Sequence, residues 1–367
     1  MRRVWRGRAV RSGTGVSAAG LAAVLAAGLA AGLAGCGGVP AAPPAVPAPP
    51  ARVTAQVPAE ASPQVSGPAV GSLPQQPGQA FYVSDGTAAA RQSAALRAQG
   101  RPAEADTLAR LAGSPSARWL VGLPGDRAVV EEQSRLAAAA DRTALFVAYD
   151  IPHRDCGQFS AGGAPDAAAY RAWIDGVAAG LADHRAWVVL EPDAVPHALE
   201  TACGPQGADA TERYELLAYA VRELKKHPQV RVYLDAGNPG WVQDRAALAG
   251  ALRRAGVDEA DGFALNVSNF YRTEESAAYG SELSALLGGK HFVVDTSRNG
   301  NGPLGGGAWC NPPGRALGEQ PTTRTDRPGV DAYLWVKIPG ESDGDCGRGE
   351  PGPGQFWLAY ALGLAGG

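Results

Sequence analysis

The chain has 367 residues, a formal net charge of −3 and five cysteines. So small a negative charge, with no long basic block, excludes a nucleic-acid footprint and favours a neutral substrate. Five scattered histidines (His153, His184, His197, His227 and His291) and no CxxC spacing argue against a metal centre, and no cofactor is expected.

At the amino terminus, Arg2, Arg3, Arg6, Arg8 and Arg11 precede an Ala/Leu/Gly-rich run, the pattern of an export signal rather than of a fold. The run ends in Leu33-Ala34-Gly35-Cys36, which resembles the lipobox of bacterial lipoproteins, in which the cysteine is acylated. Residues 1–36 are therefore read as a signal segment. The expected product is held on the extracytoplasmic face of the membrane by acyl chains on Cys36, with full secretion as the alternative. From 37 to 78, Pro and Ala dominate and little charge is present, so the segment cannot bury enough apolar surface to offset its ordering entropy; it is expected as a linker. Residues 79–367 are expected to form one catalytic domain, of a length ordinary for a barrel.

Within that domain, short apolar runs alternate with stretches of helical periodicity. Strands are expected at Ala144 to Tyr149, Ala186 to Leu190, Val230 to Leu234, Gly262 to Val267, His291 to Val294 and Ala332 to Val336. Helices are expected at Ala167 to Ala182, Glu212 to Lys226, Gln243 to Ala255 and Glu274 to Leu287, with Thr211 and Thr273 as N-caps. Such alternation predicts right-handed βα units on a parallel sheet. Trp173, Trp187 and Trp335 are expected in the core.

Polar groups arrive as each apolar run stops: Asp150 and Asp155, Glu191 and Asp193, Asp235, Asn266, Asp295, then Lys337, Glu341 and Asp343. In a parallel barrel these strand ends share one mouth, whereas an open doubly wound sheet gathers ligands at one crevice. No GxGxxG follows the first strand, which also favours the barrel. Acids crowded in a cleft raise one another's pKa, and glycoside cleavage requires one carboxylic acid still protonated near neutral pH.

The motifs Tyr149-Asp150-Ile151-Pro152-His153-Arg154-Asp155-Cys156, Glu191-Pro192-Asp193, Asp235-Ala236-Gly237, Asp295 to Pro303 and Lys337 to Gly344 together resemble glycoside hydrolase family 6, which contains cellulases. The resemblance runs from about Phe81 to the C-terminus. It implies an α/β fold, a distorted seven-stranded parallel barrel, that hydrolyses internal β-1,4-glucosidic bonds of cellulose or a related β-glucan with inversion. It places the general acid at Asp193. Asp155 would help keep Asp193 protonated and steer the water, Asp343 would be the base, Asp235 would tune the electrostatics and Tyr149 would press on the sugar ring. Trp119, Trp241 and Trp309 are implied as stacking platforms, with Asn238, Asn266, Lys337 and Glu341 as further substrate contacts. The four remaining cysteines are expected as two loop staples, Cys156 with Cys203 and Cys310 with Cys346. Compact segments between them point to an open cleft, and a monomer suffices.

Three departures stand out from the pattern of that family. Asn238 replaces a histidine after the Asp-Ala-Gly motif, Ala161 replaces a serine that holds water, with Ser160 adjacent, and Trp119-Leu120-Val121-Gly122 lacks expected histidines. These touch positioning rather than the proton donor. The competing reading is a glucan-binding protein, weakly active or inactive, on the same barrel.

Overall fold

The computed structural model describes residues 80–199 and 210–366, all within one compact unit. The elements in chain order are α1 (Ala88–Ala98), α2 (Pro102–Ala112), β1 (Arg118–Leu120), α3 (Asp126–Ala139), β2 (Ala144–Ala148), a short 3-10 turn (Asp155–Gly157), α4 (Ala167–Leu181) and β3 (Ala186–Leu190). There follow α5 (Ala194–Leu199), α6 (Ala210–Leu224), β4 (Val230–Asp235), α7 (Arg245–Arg254), β5 (Gly262–Leu265), α8 (Thr273–Leu286), β6 (His291–Asp295), β7 (Val330–Leu334) and α9 (Leu358–Gly366).

The seven strands pair in sequence order, all in parallel, so that each strand's C-terminal end opens on the same side. The sheet curls into a half-barrel. Between β7 and β1 a ladder is replaced by two bonds: the Ala117 N–H donates to the Trp335 carbonyl at 3.0 Å and the Trp119 indole N–H to the Val336 carbonyl at 2.8 Å. The sheet edges are thus covered rather than left as open templates.

Strand sequences are continuously apolar because both faces are buried. Leu145, Val147, Trp187, Val189, Tyr233, Val293 and Leu334 fill the concave side, while Phe146, Val188, Val232, Leu234, Phe263 and Phe292 meet the helices through Ile174, Leu181, Leu217, Val221 and Leu252. Trp187 packs edge-on to Phe81 and tilts against Tyr233, and Trp335 is 1% exposed with its N–H given to the Glu319 carbonyl. Trp173 packs against the outer core, its indole N–H bonded to Asp126. All three core expectations agree with this packing.

Several boundaries differ from expectation, each for a local reason. The last strand ends at Leu334 instead of Val336, because the Val336 and Lys337 N–H groups turn to the Asp295 carboxylate. The fifth strand stops at Leu265 because Asn266 adopts φ +65°. Thr211 and Thr273 are not N-caps: α6 already begins at Ala210, and in α8 the N-cap is Arg272, whose N–H is bonded by the Glu275 side chain. Trp119 belongs to a three-residue strand too short to show a period. No described helix is long and apolar enough to cross a membrane. The expected signal segment, linker, Cys36 and Cys203 lie outside the described residues.

Candidate active site

A cavity of about 860 Å³ opens at the C-terminal ends of the strands. Tyr149, Asp155, Asp193, Asn238, Trp119, Trp241, Trp309, Lys337, Glu341 and Asp343, drawn from positions more than two hundred residues apart, all line it.

Asp193 reaches the cavity through a contorted turn. Glu191 and Asp193 both take positive φ, at +49° and +70°, a conformation disfavoured for residues with a Cβ and typical of positions held for function. Two carboxylates hold the turn. Glu191, fully buried, accepts the N–H groups of Asp150 and Ile151 at 3.0–3.1 Å, tying the exit of β2 to that of β3. Asp235, at the end of β4, accepts the Asp193 N–H at 2.9 Å and the Gly237 N–H at 3.1 Å. Its other oxygen meets no partner among the described residues. Burial pushes the Asp235 carboxyl up to about 7, against the lowering effect of those N–H groups. The Asp193 carboxyl is held well above the carboxylate range by burial first and then by Asp235 and Asp155.

Asp155 stands on the 3-10 turn with φ +54°, and its carboxylate accepts the Ser160 N–H at 2.7 Å. Burial raises its pKa too. Arg154 braces this loop, donating to the carbonyls of Tyr149 and Ser160 at 2.6 and 2.9 Å while its guanidinium lies 4.6 Å from the centre of the Tyr149 ring. Trp119 meets the same ring edge-to-face at 5.4 Å.

Asp343 has the opposite electrostatics. The buried Arg298 guanidinium bonds it at 2.8 Å, Lys337 lies 3.7 Å from its other oxygen, and the Asn311 N–H donates at 3.0 Å. Burial alone would raise this carboxyl, but the two cations and the hydrogen bonds win and hold it below the usual range. Glu341 is pushed up to about 7 by burial, which outweighs the lowering effect of Lys337, Arg118 and Arg298.

Not every strand-end polar group belongs to the cavity lining. Asp150 lies 3.9 Å from the Arg154 guanidinium, while Glu191 and Asp295 face backbone; Asp295 accepts N–H groups from Ser268, Ser297, Val336 and Lys337 at 2.9–3.2 Å. As parallel strands splay at the open end, ladder carbonyls no longer meet these donors, and a carboxylate replaces them. The expectation that strand-end acids all crowd one cleft is corrected accordingly. Asn266, expected as a sugar contact, is fully buried: its amide donates to the carbonyls of Tyr271 and Asp295 and accepts the Tyr271 N–H. It positions Tyr271, which does line the cavity.

Tyr271, Phe159, His197, Ser268 and Asn269 also line the cavity and were not singled out from the sequence. Phe159 sits between motif positions, where a lone aromatic gives no signal. His197, edge-on to Trp241 at 5.0 Å, is pushed down to about 4 by burial and by Arg213, so it stays neutral near pH 7. Asn238 accepts the Gly240 N–H at 3.1 Å, holding the turn that carries Trp241. Cys310 and Cys346 form a disulfide with 6.3 Å between their α-carbons, whereas the expected pairing of Cys156 with Cys203 falls outside the described residues.

Comparison with known proteins places these features. The family model for glycosyl hydrolases family 6 matches residues 76–366. Endoglucanase A of Cellulomonas fimi is 42% identical over 294 residues, 79% of this chain and 62% of its own length, and Endoglucanase 1 of Streptomyces sp. (strain KSM-9) is 45% identical over 70% of this chain and 71% of its own. The first of these relatives is thus spanned over less than two thirds of its length. Among solved structures, the endoglucanase Cel6 of Mycobacterium tuberculosis, in complex with a thio-linked cellobioside, superposes with a TM-score of 0.73 at 44% identity, over 80% of this chain and 99% of that one. With its motifs, its seven-stranded half-barrel and the family match over residues 76–366 in agreement, this chain belongs to glycosyl hydrolases family 6.

Proposed function

We propose that the protein hydrolyses internal β-1,4-glucosidic bonds of cellulose or a related β-glucan with inversion of anomeric configuration. The observation that carries this reading is the opposed electrostatics of two carboxyls on one cavity: burial and neighbouring acids push Asp193 well above the carboxylate range, while Arg298 and Lys337 hold Asp343 below it. Acid and base roles follow from environments that push two such pKa values apart. In an inverting reaction the acid protonates the leaving oxygen while the base activates a water on the opposite face of the sugar.

In this reading Asp193 donates the proton. Asp155 keeps it in place electrostatically and orients the water, and Asp343 accepts the water's proton. Asp235 fixes the Asp193 backbone and adds to its field. Tyr149 presses on the ring at the cleavage point, Trp119, Trp241 and Trp309 stack on sugar faces, and Asn238, Lys337 and Glu341 bond hydroxyls. The names of the relatives at 42–45% identity, endoglucanases, support cuts within the chain. Proton NMR of a cello-oligosaccharide digest is the test: the α-anomer should accumulate first and mutarotate later. A digest that begins with the β-anomer, or a protein that binds the oligosaccharide and never cuts it, removes the proposal.

The enzyme is further proposed to act outside the cell as a monomer tethered through Cys36, on the strength of the Leu33-Ala34-Gly35-Cys36 sequence. Growth with a labelled fatty acid should label the wild type and leave Cys36→Ala unlabelled and free in the medium. Equal labelling of both ends the anchor reading.

A further inference from the structure

Two aromatic side chains on the rim are left exposed, Phe159 at 43% and Trp309 at 42%. They come from loops that leave opposite parts of the sheet, Phe159 after β2 and Trp309 between β6 and β7. Their rings nevertheless meet edge-to-face, with centroids 5.4 Å apart, and both line the cavity.

Each is also seated on the loop that carries Asp343, by a separate route. A Cβ added to Gly344 would lie 3.1 Å from the Phe159 ring, so that ring leans on the backbone next to Asp343. Trp309 directly precedes Cys310, which is bonded to Cys346 just beyond Asp343. Two adjoining half-exposed rings on a cavity rim form an apolar patch of the kind that marks binding sites, and sugar faces are apolar plates suited to them.

We propose that Phe159 is a substrate-binding residue, which with Trp309 forms an aromatic clasp across the Asp343 end of the cleft and holds one sugar of the bound glucan. This rests on the glucan reading above and adds to it a contact from the β2 loop. The clasp can part to admit the middle of a chain. Trp309 follows Gly305-Gly306-Gly307, a turn closed only by the Leu304–Ala308 bridge, where an added Cβ would meet no described atom within 4 Å.

Calorimetric titration with cellotetraose, in an Asp193→Asn background that preserves the ligand, tests the clasp. Phe159→Ala should weaken binding about 3- to 10-fold, the range of an aromatic contact, at a temperature where a thermal melt shows the variant fully folded. Phe159→Trp should restore affinity to within about twofold. In a Trp309→Ala background the Phe159→Ala change should add little, since the partner ring is already gone. Unchanged affinity in Phe159→Ala, or fully additive losses in the double variant, overturns the clasp. Non-additive losses in these variants beside a wild type that releases no reducing ends keep the clasp and remove the hydrolase reading; a protein that binds no cellotetraose removes both.

Discussion

Replacing Asp193 with asparagine is expected to lower kcat on a soluble β-glucan by about a hundredfold to ten-thousandfold, the contribution of a positioned general acid. Asparagine keeps the shape and cannot donate the proton. The same change should not harm the fold. A carboxyl whose folded pKa is raised favours folding only while it is protonated, so its contribution is present below the ordinary carboxylate value and is lost as pH rises through the raised one. At neutral pH the asparagine variant should therefore melt no lower than the wild type, and the difference should close as the pH falls. Reducing-end assays paired with thermal melts check both halves. Retained turnover would remove Asp193 from the acid role, and a large loss of melting temperature would recast it as a structural residue.

The second large effect is expected at Arg298. Its guanidinium is fully buried, bonds Asp343 at 2.8 Å and the Ser268 carbonyl, and lies 4.4 Å from the centre of the Phe270 ring. Arg298→Met fills the volume but strands Asp343 with Lys337 as its nearest cation, which should cost roughly 3–5 kcal/mol. The melting temperature should fall on the order of 10 °C. Because the Asp343 pKa is lowered in the fold, the stabilisation it brings is present above the ordinary carboxylate value and is lost as pH falls through the lowered one. The gap between the variant and the wild type should thus shrink in acid. Arg298→Lys, which keeps the charge but cannot reach both acceptors, should recover part of the loss. It should also shift the acidic limb of kcat/KM upward, because a single ammonium stabilises the Asp343 anion less well. Equal melting temperatures for Arg298→Met and the wild type would show that the pair does not hold the loop.

Both carboxyls are buried, and the opposite signs of their neighbouring charges set the raised Asp193 apart from the lowered Asp343. Asp193 lies in a turn where it and Glu191 take disfavoured φ values, its N–H is held by Asp235, and the charges that raise it are those of Asp235 and Asp155. Asp343 is reached by Arg298 from the β6 loop, and by Asn311 and Lys337. In the proposed mechanism, donor and acceptor are thus prepared by what surrounds them before any substrate arrives.

The sequence by itself determined the alternation of strands and helices, because each strand is buried on both faces and reads as an unbroken apolar run such as Leu145 to Ala148. It also determined the identity of the motif carboxylates and, through the resemblance, named Trp119, Trp241 and Trp309, all of which line the cavity. Strand-end placement alone could not separate Asp193 from Asp295 or Asp343 from Glu191, since all four follow a strand; only the resemblance of their motifs singled out Asp193 and Asp343. Only the tertiary structure decided that Glu191 and Asp295 spend their oxygens on N–H groups released where the curled strands splay, that Asn266 serves Tyr271, and that Phe159 crosses to Trp309. The reason is physical: a carboxylate's role depends on which donors and charges come within a few ångströms, and here those arrive from strands far apart in the chain.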